Sequence, residues 1–169
     1  SEFLKHPPVD VPSCLILDLH LPDLDGLRLQ EAMRHSNVQM PIVFISGSAD
    51  VASTASAMRF GAIDFLEKPV DDVMLLDAVS RALERDAIRR VRHNDAVMAG
   101  EMLARLTPRE RQVCELVSRG LLNKQIADTL GASIRTVKIH RARMMRKLNA
   151  GSVADVVRLL TRVDRSSAT

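Results

Sequence analysis

The chain has 169 residues and 18.7 kDa, is 46% hydrophobic and 27% charged, and has a mean hydropathy of zero. That length fits one ordinary domain or two small ones, and no apolar run nears the ~20 residues of a membrane helix. Cys14 and Cys114 lie far apart, which excludes a disulfide framework or a cysteine-rich zinc site and fits a reducing, cytoplasmic compartment. Trp and Tyr are absent, so a base-stacking platform for single strands is disfavoured. Ser1-Glu2-Phe3-Leu4-Lys5-His6-Pro7-Pro8 does not read as a secretory signal. The net charge of +3 conceals a split: residues 1–100 carry 10 basic and 15 acidic side chains, residues 101–169 carry 14 and 6. Two modules with different partners are expected, and only the second attracts polyanions.

Residues 14–18, Cys-Leu-Ile-Leu-Asp, read as a buried parallel strand ending in an acid. A Pro- and Gly-punctuated loop, 20–26, leads into a helix over 26–35 with Leu27, Leu29 and Met33 inward. Residues 41–46 form a second strand, Asp50 caps a helix running to Phe60, and Gly61 ends it. Residues 62–66 form a third strand. Asp71-Asp72 start another helix, with Val73, Leu76, Val79 and Leu83 as its apolar positions. His93-Asn94-Asp95 and Gly100 weaken its continuation, which places a helical linker at 86–104.

Alternating strands and helices predict a doubly wound α/β layer, whose polar site lies at the carboxyl ends of the strands. Asp18, Ser46 and Lys68 occupy those ends. A carboxylate beside an ammonium stays ionised and can attack phosphorus, while a hydroxyl can bond a phosphoryl oxygen. An ordinary ion pair with a turn-capping serine explains the same three residues. Asp23 and Asp25 are further carboxylates near Asp18 in sequence, in a turn.

The basic module opens with Thr107 as cap, Pro108 at the first helical position and Glu110 as capping-box partner. Val113, Leu116 and Val117 form its apolar face, and Gly120 ends it. Residues 123–130 are a second short helix, Gly131-Ala132-Ser133 a tight turn, and 134–148 a third helix that contains no acid. Helix, short turn, basic helix is the helix-turn-helix pattern. Helical period puts Val137, Met144 and Leu148 inward, and Arg135, Lys138, Ile139, Ala142 and Arg143 outward. Lys138 and Ile139 suit base edges, and small Ala142 permits close approach. Lys124, Arg135, Thr136, Arg143 and Arg146 suit phosphates. A solvated amphipathic helix or a basic calmodulin-type target is the competing explanation.

Residues 14–85 resemble the later part of a response-regulator receiver domain, through CLILDLHLPDLDG, PIVFISGSAD and GAIDFLEKP. The resemblance implies that Asp18 accepts phosphate, Ser46 is the switch hydroxyl, Phe65 the aromatic switch and Lys68 the invariant lysine, with a cis Lys68-Pro69 bond. It implies Mg2+ held by Asp18, the His20 backbone carbonyl and an acid pair on an upstream strand. The family opens with a βαβ unit of about 30 or more residues ahead of this region. On that expectation the chain holds an incomplete doubly wound receiver of three parallel strands with helices. Mg2+ then belongs to the intact receiver, and the remaining ligands are not in this chain.

Residues 104–162 resemble the LuxR-type helix-turn-helix nearly throughout, in LTPRERQVCELVSRGLLNKQIADTLGASIRTVKIHRARMMRKLNA. This implies a four-helix domain whose last helix, 152–161, supports dimerisation; Val153, Val156, Val157 and Leu160 are its apolar positions, and core packing is the competing role for some of them. Receiver followed by this module resembles the NarL/FixJ family, on its FixJ-like branch. The expected architecture is α/β followed by all-α: a partial receiver at 1–85, a helical linker at 86–104 and a DNA-binding domain at 105–169. The implied function is a transcription regulator, not an enzyme, with promoter DNA, a sensor histidine kinase, RNA polymerase and a second copy as partners and no membrane. A phosphorylation-independent DNA-binding fragment, an Asp-nucleophile phosphatase and a pure interaction module are the alternatives. Asp18-Leu-His20 lacks the second Asp such a phosphatase places two residues on.

Overall fold

The computed structural model describes residues 10–20, 25–36, 38–47 and 51–167; Asp23, Asp50 and the first nine residues lie outside these. The chain divides into two compact units, Ser1–Arg90 and Val91–Thr169.

In the first unit, strands β1 (Leu15–Asp18), β2 (Ile42–Ser46) and β3 (Asp64–Glu67) form one parallel sheet in the order β1-β2-β3. Helices α1 (Gly26–His35) and α2 (Val51–Arg59) follow the first two strands, and α3 (Asp72–Ala104) follows the third. The pleat sends successive side chains to opposite faces. Leu17, Phe44 and Phe65 join Leu29, Met33 and Ala57 in one cluster, while Val43 and Leu66 join Ala78 and Ala82 in another. One face is covered by α1 and α2, and the other by α3 over β2 and β3. Ile16 of β1, on that second face beside Val43, is 46% exposed, so β1 is buried on one face only, unlike the strand expected from its apolar run.

Two local devices bring α1 onto β1. Asp25 is exposed and accepts a hydrogen bond from Leu27 N at 2.9 Å, so this loop carboxylate serves as a helix cap. Gly26 N donates to Leu19 O at 2.9 Å, and a Cβ on Gly26 would lie 2.7 Å from Asp18 O and 3.1 Å from the Phe44 ring. Gly26→Ala is expected to cost about 1–3 kcal/mol, as overpacking against backbone does. Denaturant unfolding of the first unit checks it, and an unchanged midpoint would contradict the close packing.

The inner face of α3 differs from expectation. Val73 and Leu76 are exposed, at 76% and 66%, while Leu75, Ala78 and Ala82 pack on the sheet. Two sets at helical spacing compete here, and the alanines win because their size lets the helix approach the strands. Asp86, read as linker, is 1% exposed. It accepts from Arg90 Nε at 2.8 Å, from Arg89 at 2.7 Å and from Ser13 N at 3.0 Å, fastening the segment before β1 to α3.

α3 runs unbroken for 33 residues through His93-Asn94-Asp95 and Gly100. Ala96, Ala99 and Leu103 are buried in that stretch, and tertiary burial of such a stripe outweighs the ~1 kcal/mol cost of one glycine.

In the second unit, α4 (Pro108–Ser118), α5 (Asn123–Leu130), α6 (Ile134–Lys147) and α7 (Val153–Ser167) enclose one core with the end of α3. Val113, Cys114, Val117, Ile126, Val137, Met144, Leu148 and Val156 are each at most 1% exposed. The boundaries follow local chemistry. Thr107 and Glu110 form the capping box of α4, with Pro108 in its first turn. Gly131, at φ 60°, ends α5, and Ser133 caps α6 through Thr136 N.

Candidate functional site

Each unit presents one candidate surface. In the first, the parallel register aligns Asp18 with Ile45 and Ser46 with Glu67. Lys68 N donates to Ser46 O at 2.8 Å, so the residue after β3 is tied to the end of β2. Lys68 Nζ donates to Asp18 Oδ2 at 2.5 Å, and His20 N donates to Asp18 Oδ1 at 3.0 Å. The sheet thus brings Asp18, Ser46 and Lys68 to one edge. The Lys68 hydrogen bond, then the His20 amide, hold the Asp18 carboxyl below its ordinary pKa, so it is an anion at neutral pH. Its side chain remains 24% exposed, within reach of a small electrophile. Ser46 is buried. Phe65 is half-buried and stacks on Phe44, with ring centroids 6.2 Å apart. The Lys68-Pro69 bond is cis.

Magnesium takes six oxygens in near-octahedral geometry and favours carboxylates. Among the described residues, no group of three or more acidic, histidine or cysteine side chains gathers, and the expected ligands reduce to the Asp18 carboxylate and the His20 carbonyl. Asp25 is engaged as a helix cap. The described residues do not by themselves fit the ion.

The second surface is the outer side of α6. Arg135, Lys138, Ile139, Ala142, Arg143 and Arg146 are all exposed, as is Lys124 at the start of α5. The burial of Val137, Met144 and Leu148 fixes this facing. Ile139, at 45% exposed, is an apolar contact point inside a cationic field. Arg135, Lys138, Arg143, Arg146 and Lys124 form no salt bridge among the described residues. Thr136 is half-buried, and its hydroxyl lies 2.8 Å from Ser133 Oγ, so it helps cap α6 as well as standing near the outer face.

Two cations of α6 are used otherwise. Arg141 Nη1 donates to Asn123 Oδ1 at 2.9 Å. Lys147 Nζ donates to Glu110 Oε2 at 2.6 Å and to Arg105 O at 3.1 Å. The sequence gives no local signal for either pairing, because the partners are 18 and 37 residues apart.

On α7, Val156 is enclosed in the core, so it is not available to a second copy in this structure. Val153 and Leu160 are half-buried against the same core, and Val157 is 38% exposed. Among the described residues, no helix is long and apolar enough to cross a membrane.

The family model for the response regulator receiver domain matches residues 1–80, and that for bacterial regulatory proteins of the luxR family matches residues 104–160. Nodulation protein W of Bradyrhizobium diazoefficiens is 45% identical over 158 residues, covering 94% of this chain and 70% of that protein. Response regulator protein TodT of Pseudomonas putida is 38% identical over 166 residues, covering 98% of this chain and 73% of its own. The solved structure of the response regulator StyR superposes with a TM-score of 0.81 at 41% identity, covering 95% of this chain and 81% of that one. Likeness that extends through both units at these identities identifies the arrangement as well as the parts, and the chain belongs to the response regulators that join a receiver to a luxR-type DNA-binding domain, the NarL/FixJ family.

Proposed function

We propose that the second unit binds double-stranded promoter DNA by laying the outer face of α6 in the major groove, and that Asp18 is the phosphoacceptor through which a sensor histidine kinase controls it. The observation that carries the DNA reading is the set of exposed cations around Ile139 and Ala142, without a salt bridge among the described residues, on a helix whose opposite side is locked in the core. Lys138 and Ile139 read base edges, while Lys124, Arg135, Thr136, Arg143 and Arg146 hold phosphates. Two copies bind two half-sites, with Val157 at the centre of an α7 contact flanked by Val153 and Leu160. Such a regulator works in the cytoplasm and communicates with RNA polymerase. By division of labour, residues 1–85 receive the signal, 86–104 connect and 105–169 bind.

For the switch, the Asp18 carboxylate attacks the donor's phosphorus and the donor leaves with its electron pair. Lys68 offsets the charge gained, Ser46 bonds a phosphoryl oxygen, and Phe65 follows Ser46 inward. Mg2+ is the ion of the family's receivers, held in the intact receiver.

Two measurements test this. Affinity for duplex DNA is expected to fall with salt at a log–log slope of about −4 per chain, from the four phosphate-facing cations; a flat salt dependence would remove the DNA reading. Labelling with acetyl phosphate in magnesium buffer, with Asp18→Asn as the control, tests the switch: label on the wild-type chain and not on the variant supports it. The single carboxylate among the expected cation ligands favours a second reading, a chain that binds DNA without a phosphorylation switch. DNA binding without label would decide for that one.

A further inference from the structure

α6 carries six lysines and arginines, and two of them are withdrawn from its outer face. Arg141 meets Asn123 in the first turn of α5, partly buried, at 2.9 Å. Lys147 meets Glu110 in the first turn of α4 at 2.6 Å and the Arg105 carbonyl at 3.1 Å. Glu110 is itself immobilised: its carboxylate accepts from Thr107 N at 2.9 Å, and it is 2% exposed. The middle of α6 is thus fastened to α5 and its end to α4.

Apolar packing through Val137 and Met144 is not directional. Two polar contacts on different neighbours are, and together they set both the tilt of α6 and its rotation about its own axis. At a side-chain radius of about 5–6 Å, a rotation of about 20° moves a tip by about 2 Å. That displacement breaks hydrogen-bond geometry to a base edge, whereas a phosphate contact tolerates it because charge attraction falls slowly with distance.

We propose that Asn123–Arg141 and Glu110–Lys147 are positioning pairs for sequence discrimination: they hold α6 in its reading orientation and carry no DNA contact of their own. The proposal rests on the reading of α6 as the DNA-binding helix. Its consequence is that losing a pair lowers selectivity between sequences and leaves general DNA affinity in place.

The test uses the full chain and two probes: a duplex selected by the wild-type chain from a random-sequence pool, and a scrambled duplex of the same composition. Asn123→Ala removes the acceptor and no cation. It is expected to lower the ratio of selected to scrambled affinity about tenfold, the scale of one lost base contact, with scrambled affinity and its salt slope as in wild type. Asn123→Asp keeps an acceptor for Arg141 and is expected to restore the ratio. The double variant Glu110→Gln with Lys147→Met avoids a lone buried charge and is expected to lower the ratio similarly. Circular dichroism below the melting transition establishes that each variant is folded, so a role in stability alone would leave the ratio untouched. An unchanged ratio in Asn123→Ala overturns the proposal. So does equal loss on both probes when Arg141→Gln lowers the salt slope by about one, the signature of a phosphate contact. If the wild-type chain enriches no duplex at low salt, the DNA reading itself fails, and that result is seen before any variant is made.

Discussion

Glu110→Ala is expected to destabilise the second unit by about 3 kcal/mol, near the lower end of the ~3–5 kcal/mol found when one partner of a buried ion pair is removed. The lower end applies because Lys147 is a third exposed and can turn toward water once its partner is gone, whereas the Glu110 side chain is 3% exposed. Loss of the capping box contributes about 1 kcal/mol of this, so Glu110→Gln, which keeps a group for Thr107 N, is expected to be milder than alanine. The acid dependence isolates the charge. The Lys147 ammonium, then the Thr107 amide, hold the Glu110 carboxyl down from 4.5 to about 2. A carboxyl depressed on folding stabilises the fold above its unfolded pKa and ceases to do so as pH falls through its folded one. The stability difference between the wild-type chain and Glu110→Gln is therefore expected to be constant above pH 4.5 and to vanish toward pH 2. Denaturant unfolding at stepped pH reads it directly, and a difference independent of pH would mean that Glu110 acts through packing alone.

What could be read in advance follows from how far each signal reaches along the chain. The limits of α4, α5 and α6 are legible because Thr107, Glu110, Gly131 and Ser133 act within one turn of themselves, whereas α7, expected to end at 161, has no such stop signal and runs to Ser167. Asp18, Ser46 and Lys68 could be brought together because parallel strands force their carboxyl ends to one edge, whatever the register. Burial against a neighbour was not legible. Val73 and Leu76 have the right spacing for an inner face, but Ala78 and Ala82 occupy it, since closeness to the sheet counts for more than side-chain size. Val156 is one of four apolar positions on α7 that suit either the core or a second copy, and periodicity alone does not choose between them; it belongs to the core. Gln30 is 5% exposed and donates to Ala57 O at 3.2 Å, a polar tie between α1 and α2 with no sequence signature. The pairings of Asp86 with Arg89 and Arg90, at three and four residues, are short-range and legible on any helix that runs through them.

Lys138→Ala and Arg146→Ala are expected to separate reading from holding. Both side chains are exposed cations on α6, so a view of the helix as a general positive rod assigns them equal effects. Geometry does not. Lys138 follows Val137, which is buried, and stands beside Ile139 on the outer face; Arg146 stands in the last turn, next to the withdrawn Lys147. A lysine in the first half of the helix can reach the acceptors of guanine, and losing that contact is expected to cost about 1–3 kcal/mol on the selected duplex and much less on a scrambled one. A cation at the end of the helix meets backbone phosphate, so its loss is expected to weaken both duplexes alike and to flatten the log–log salt slope by about one. Titrations of the two variants on both duplexes at several salt concentrations give four affinities and two slopes, enough to distinguish the roles. Equal loss of selectivity from both substitutions would contradict this separation of roles along α6, because Lys138 lies in the first half of the helix and Arg146 in its last turn.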